Sequence, residues 1–182
     1  PAGEFYLNHH MVEVYKYPEL EELVHAAVLC NDAVLQEKDD TWTVIGDPTE
    51  GALLSLGMKA GIDPNVQRDL EYRISSIPFE SEHRFMATLN QDSSGTKFIF
   101  VKGAPETIIE RSSDERTETG KRPINPHYWH EKIREIASSG QRTLAVAAKK
   151  VSADKTDVTF GDVEGGLVML GLFGIIDPPR EE

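Results

Sequence analysis

The sequence predicts an α/β chain of the α+β kind: a twisted, mostly antiparallel sheet of six or seven strands flanked by helices. Three observations point there. Between Ile74 and Val101, three strand-like runs follow one another with only short polar breaks. Helix signals at 19–29, 46–61, 104–111 and 126–139 carry a proline at their start, where its missing amide donor costs nothing. Two more apolar runs, 143–151 and 167–176, read as strands near the end.

In chain order, residues 5–16 read as extended, because Phe5, Leu7, Val12, Val14 and the tyrosines Tyr6, Tyr15 and Tyr17 favour strands. His9 and His10 would then point to opposite faces. Over 19–29, Leu20, Leu23, Val24, Ala27 and Val28 recur at helical spacing, and Asn31 and Asp32 read as the stop. A charged turn at 37–40 precedes a short strand at 41–45, a hairpin-like return. Asp47 is a good helix cap, Pro48 a good first residue, and Glu50 stands three after the cap as in a capping box. A shorter helix starts at Asp63 and Pro64.

The central strands follow. The first ends at Pro78 and delivers Phe79. The second, 84–90, alternates Phe85, Ala87 and Leu89 against Arg84, Met86, Thr88 and Asn90, the pattern of a strand with one dry face. The third, 97–101, is almost continuously apolar and reads as buried on both faces. It ends at Lys102, after which Gly103 permits a tight turn and Glu106 suits a positive helix start. The polar run 112–125, with Gly120 and Pro123, reads as an exposed loop. Over 152–165 no period is clear, though a short helix near Thr159 fits, and the prolines of 177–180 enforce an extended exit.

At 182 residues the chain fits one domain. No apolar run reaches the roughly 18 residues of a bilayer-spanning helix, and no basic, apolar signal segment opens it. A net charge of −12 argues against nucleic acid and against an anionic membrane surface as partners. The single Cys30 cannot form an internal disulfide and reads as a buried, reduced thiol. One cysteine and scattered histidines do not make a zinc site, and no GxSxG elbow, GxxxxGK(S/T) loop or GxGxxG turn is present. A flat heterocycle with an attached anion would therefore be held by its heterocycle end, with Arg84, Lys102 and Arg142 as candidate cations for the anion.

Phe79 lies at a polar strand end, which suits a ring that stacks on a flat heterocycle better than a core ring. Lys102 brings charge beside it, and Gly103 brings close-approaching backbone. Glu50 has two readings: it closes the capping box on its own helix, or it turns into the pocket and accepts from an exocyclic amine.

Five runs carry a resemblance. With GDPTEGAL at 46–53, PFESEHRF at 78–85, KGAPE at 102–106, GQRTLAVA at 140–147 and IDPPR at 176–180, the chain resembles the nucleotide-binding domain of a P-type cation-transporting ATPase, nearest the calcium and sodium/potassium pump branch. The resemblance implies that residues 1–175 are that domain and 176–182 the hinge toward a phosphorylation domain. It implies ATP as ligand, with Mg in the full-length pump, and the phosphorylation and actuator domains of the same parent chain as partners. The domain would lie on the cytoplasmic side of an integral membrane protein and be monomeric when isolated.

By the resemblance, Glu50 contacts the adenine, Phe79 stacks on it, Ser81, Arg84 and Met86 fall at pocket positions, and Lys102 and Gly103 line the nucleotide. Arg142 reaches the phosphates and Leu144 packs on the adenine or ribose. No catalytic or metal-binding residue is expected, since the family's phosphorylated aspartate sits in a DKTGT motif that these residues lack. The alternative is a protein-interaction domain of the same fold that binds no nucleotide.

Overall fold

In the computed structural model, which describes residues 2–176, the chain opens with two three-residue strands, β1 (Phe5–Leu7) and β2 (His10–Val12), and a 3-10 turn at Val14–Lys16. The continuous extended run expected over 5–16 is therefore broken. Asn8 and His9 adopt φ of 50° and 65°, the left-handed turn that lets β1 fold back on β2, so His9 sits in a turn and has no strand face.

Helix α1 (Pro18–Leu29) follows, then the hairpin β3 (Val34–Lys38) and β4 (Thr41–Ile45), then α2 (Pro48–Lys59) and α3 (Pro64–Leu70). Both α2 and α3 begin as the sequence implies. Asp47 accepts from the N–H groups of Thr49 and Glu50, and Asp63 accepts from those of Asn65 and Val66. A small core of Val24, Val28, Leu35, Leu54 and Ile62 joins α1, α2 and the hairpin.

The main sheet contains β5 (Tyr72–Ile77), β6 (Phe85–Gln91), β7 (Lys97–Gly103), then, after helix α4 (Pro105–Arg111), β8 (Ser112–Thr117) and β9 (Gly120–Pro123). Helix α5 (Pro126–Ser138) leads to β10 (Arg142–Val151) and, past a 3-10 turn at Phe160–Val163, to β11 (Leu167–Ile175). The seven strands lie in the order β5-β6-β7-β10-β11-β8-β9, antiparallel throughout except where β8 runs parallel to β11.

Two local readings are corrected. Residues 112–125 are not a loop but the hairpin β8–β9 at the sheet edge, with Glu115 almost completely buried. Its polar composition follows from this edge position and from partners for its charges: Arg122, Trp129 Nε1 and the Asn125 N–H all donate to Glu115. Strand β6 has two dry faces rather than one. Phe85, Ala87 and Leu89 pack with Ile108 and Ile109 of α4, while Met86 on the other face packs against Leu23, Ala26 and Ala27 of α1. Thr88 and Asn90 are buried as well, because helices cover the sheet on both sides. The hinge read at 176–182 lies outside the described residues apart from Ile176.

Candidate functional site

The ladder sets the site's floor. In register, Met86 of β6 faces Lys102 of β7, and Lys102 faces Val146 of β10. Cross-strand neighbours share a face, so Met86, Lys102 and, two residues before Val146, Leu144 line up beside the first turn of α2. At the end of the ladder Arg84 takes φ 62° and turns out of β6, and its carbonyl accepts the Ala104 N–H at 3.0 Å. Gly103 is required by this closure. A Cβ there would lie 2.7 Å from Phe85 Cα and closer still to the Arg84 carbonyl oxygen.

Above this floor a cleft of about 740 Å³ opens. Its boundary includes Glu50, Phe79, Ser81, Arg84, Met86, Lys102, Gly103, Arg142 and Leu144, so the structure brings together the nine positions singled out in the sequence. Phe79 is 57% exposed, held out on the segment after β5. That segment is closed on itself by the Arg84 N–H to Glu80 O bond at 2.8 Å and by His83 Nε2, 3.0 Å from Pro78 O. The His83 ring packs in turn on Phe85 and Phe160. An aromatic face left in water by an otherwise fastened loop is available for stacking.

Lys102 departs from the expectation of a free ammonium at a strand tip. It is only 4% exposed, and its Nζ donates to Glu50 Oε1 at 2.8 Å and to Cys30 O at 2.5 Å. Glu50 makes no return to its own helix start. Asp47 caps α2 alone, and the Glu50 carboxylate receives Lys102 and, at 3.3 Å, the Asp32 N–H. The Glu50 side chain therefore lines the cleft and does not close a capping box on its own helix. An ion pair this dry is tolerated because both partners have further hydrogen-bond partners. Beneath it the Cys30 thiol is fully buried, and burial pushes its pKa up to about 11, so it stays neutral.

The remaining cleft charges are mostly spoken for. Arg84 lies 4.0 Å from Glu106, and Asp32 pairs with Arg73 at 2.5 Å. Arg142 donates to Thr49 Oγ1 at 2.9 Å and has no carboxylate within ion-pair distance among the described residues, which leaves it the cleft cation open to an anion. Sequence reasoning missed other parts of the wall, among them Asp32, read only as a helix stop; Glu106, read only as a helix-start charge; and Ile133 and Ala137 of α5. No local signal ties α5 to residues some fifty positions before it. The described residues contain no group of three or more His, Cys, Asp or Glu arranged to hold a metal ion, and no helix among them is long and apolar enough to cross a membrane.

Comparison with known proteins agrees with this architecture. The chain is 41% identical over 166 residues to the cation-transporting ATPase pma1 of Synechocystis sp., covering 91% of this chain and 18% of that protein. It is 32% identical over 185 residues to the calcium-transporting ATPase of Bacillus subtilis, covering 100% and 21%. It is 35% identical over 185 residues to the human calcium-transporting ATPase type 2C member 1, covering 98% and 18%. The chain thus spans about a fifth of the length of the curated relatives it matches. Residues 19–182 match the family described as P-type ATPase, cytoplasmic domain N, and on that match and these identities the chain belongs to the P-type ATPase family as its cytoplasmic N domain.

Proposed function

We propose that this domain binds ATP base-first in the cleft and holds the γ-phosphate outward, toward the aspartate of a phosphorylation domain elsewhere in the pump. Phe79 stacks on the adenine, the Glu50 carboxylate accepts from its 6-amino group, and Met86, Gly103 and Leu144 bound the base and ribose. Lys102 holds the Glu50 carboxylate in place through the 2.8 Å contact, and Ser81 and Arg84 border the cleft. Arg142, with its guanidinium fork, takes the phosphates. Magnesium accompanies those phosphates in this reading, since no side-chain cage in the described residues fits it. Lacking the DKTGT motif, these 182 residues should not hydrolyse ATP by themselves. We assign the parent protein to ATP-driven cation transport, with calcium as the ion because relatives bear that name, and the phosphorylation and actuator domains of the same pump as its partners.

The observation that carries the reading is the cleft itself: its wall brings together a half-exposed aromatic ring, a largely buried carboxylate–ammonium pair and a guanidinium with no carboxylate partner among the described residues. One stacking ring and a few hydrogen bonds predict weak binding, with Kd of about 0.1 to several mM. Chemical-shift titration of the labelled chain with ATP, ADP and AMP tests it. Shifts should centre on Phe79, Glu50, Lys102 and Arg142, with modest differences among the three nucleotides. Nanomolar affinity, a strict need for the γ-phosphate, or shifts centred away from the cleft would refute the geometry.

A further inference from the structure

The turn that follows α1 reaches Glu50 by more routes than any other segment does. Asn31 is 1% exposed, and its Oδ1 accepts the Ala33 N–H at 2.9 Å while its Nδ2 donates to the Glu50 backbone carbonyl at 2.9 Å. The next amide, Asp32 N–H, donates to the Glu50 carboxylate, and the preceding carbonyl, Cys30 O, shares the Lys102 ammonium with it. The turn is fastened from its other side. Arg73 donates to the carbonyls of Leu29 and Asn31 and pairs with Asp32, and Arg68 donates to the carbonyls of Asn31 and Ala33. The main chain of 30–32 is thereby clamped between two guanidiniums and the start of α2, with the Asn31 side chain as its direct tie to Glu50.

We infer that Asn31 is a positioning residue for base recognition: it fixes the start of α2 against the 30–32 turn, so that the Glu50 carboxylate presents an open lone pair at the point where a base carries its exocyclic amine. Asn31 does not border the cleft and acts through Glu50. Two of the carboxylate's acceptor directions are already taken by Lys102 and Asp32 N–H. Turning Glu50 even slightly would trade the open direction for an occupied one. The inference rests on the nucleotide-binding reading above, and it assigns the discrimination between an amino-purine and an oxo-purine to a residue that touches neither.

The test compares ATP with inosine triphosphate, which replaces the 6-amino group by an oxygen that an anionic carboxylate repels. The 182-residue chain should prefer ATP by about tenfold, the worth of one hydrogen bond to a charged acceptor. Asn31→Ser keeps an acceptor for the Ala33 N–H and loses the Glu50 tie. It should cut the preference to about threefold or less while leaving inosine triphosphate affinity within about twofold, a pattern that general loosening of the fold does not produce. Glu50→Ala serves as the reference for complete loss of preference. If Glu50→Ala abolishes the preference and folded Asn31→Ser retains it in full, the inference is overturned and the binding reading stands. If the unaltered chain shows no preference, the base-contact reading itself falls, and the inference with it. Should Asn31→Ser not fold, the unaltered chain decides: the Asn31 side-chain amide resonance must shift on saturation with ATP and shift less with inosine triphosphate, and equal or absent shifts overturn the inference.

Discussion

Replacing Lys102 by methionine removes one charge from a buried pair and leaves the other in place. At the 2.8 Å separation of Lys102 Nζ and Glu50 Oε1, an effective dielectric of about 20 gives a gross attraction of about 6 kcal/mol. Desolvation of both ions cancels much of that in the intact protein, but the methionine variant keeps the desolvated carboxylate and loses its partner. Unpaired buried charges of this kind cost about 3–5 kcal/mol. The lower end applies here, because Glu50 keeps the Asp32 N–H and its side chain is 16% exposed. A loss of about 3 kcal/mol corresponds to a fall in Tm of about 6–12 °C for a domain of this size. Urea unfolding at neutral pH, followed by circular dichroism, measures it. The double variant Glu50→Gln with Lys102→Met removes both charges, and it should be at least about 1.5 kcal/mol more stable than the sum of the two single losses predicts. A single-variant loss below about 1 kcal/mol, or strict additivity, would refute the account of Lys102 as one half of a buried pair. Nucleotide affinities of Lys102 variants must be read on the folded fraction, since the same substitution acts on both.

Phe79→Ala should leave stability within about 0.5 kcal/mol, because the ring is already exposed, yet weaken ATP binding by about tenfold, as loss of one stacking partner predicts; calorimetric melts with a binding titration check both halves. Arg142→Ala should weaken ATP more than adenosine, and added salt should narrow the difference, in paired titrations of the two ligands. Gly103→Ala forces a carbon against the Arg84 carbonyl and Phe85, and a loss of about 1–3 kcal/mol in urea melts is expected. Acid stability follows Glu115: burial alone would push its pKa up, but the Asn125 N–H, Arg122 and the Trp129 indole donate to the carboxylate and hold it below the usual value. A group with a depressed folded pKa contributes stability above its unfolded pKa and loses it as pH falls through the folded one. Glu115→Gln should therefore lower stability at neutral pH and flatten its decline in acid, measured by urea midpoints from neutral pH down through the carboxylate range.

Much of this fold was legible locally. Helix starts at Asp47-Pro48 and Asp63-Pro64 were readable because capping is settled within three residues, and β7 because the four residues from Phe98 to Val101 are continuously apolar. The nine cleft positions were legible through the resemblance; periodicity alone would not have joined a helix start at 50 to strand ends at 79, 102 and 142. The β8–β9 hairpin escaped notice because an edge strand with charged partners has no apolar alternation to betray it. The second dry face of β6 was hidden by Thr88 and Asn90, polar residues that are nonetheless buried in the folded chain.

By itself the sequence determined most of the helices and central strands, where most helices begin, and which residue types stand ready at strand ends, since these depend on neighbours a few positions away. Only the tertiary structure decided which charges are free. Lys102 looked like an open cation until β7 was set beside α2 and the 30–32 turn, whereupon Glu50 and Cys30 O consumed it and Arg142 was left on the cleft wall without a carboxylate partner among the described residues. The reason is range: a helix cap closes within one turn of chain, but an ion pair between residues 50 and 102 exists only once the sheet has brought two distant segments within 3 Å of each other.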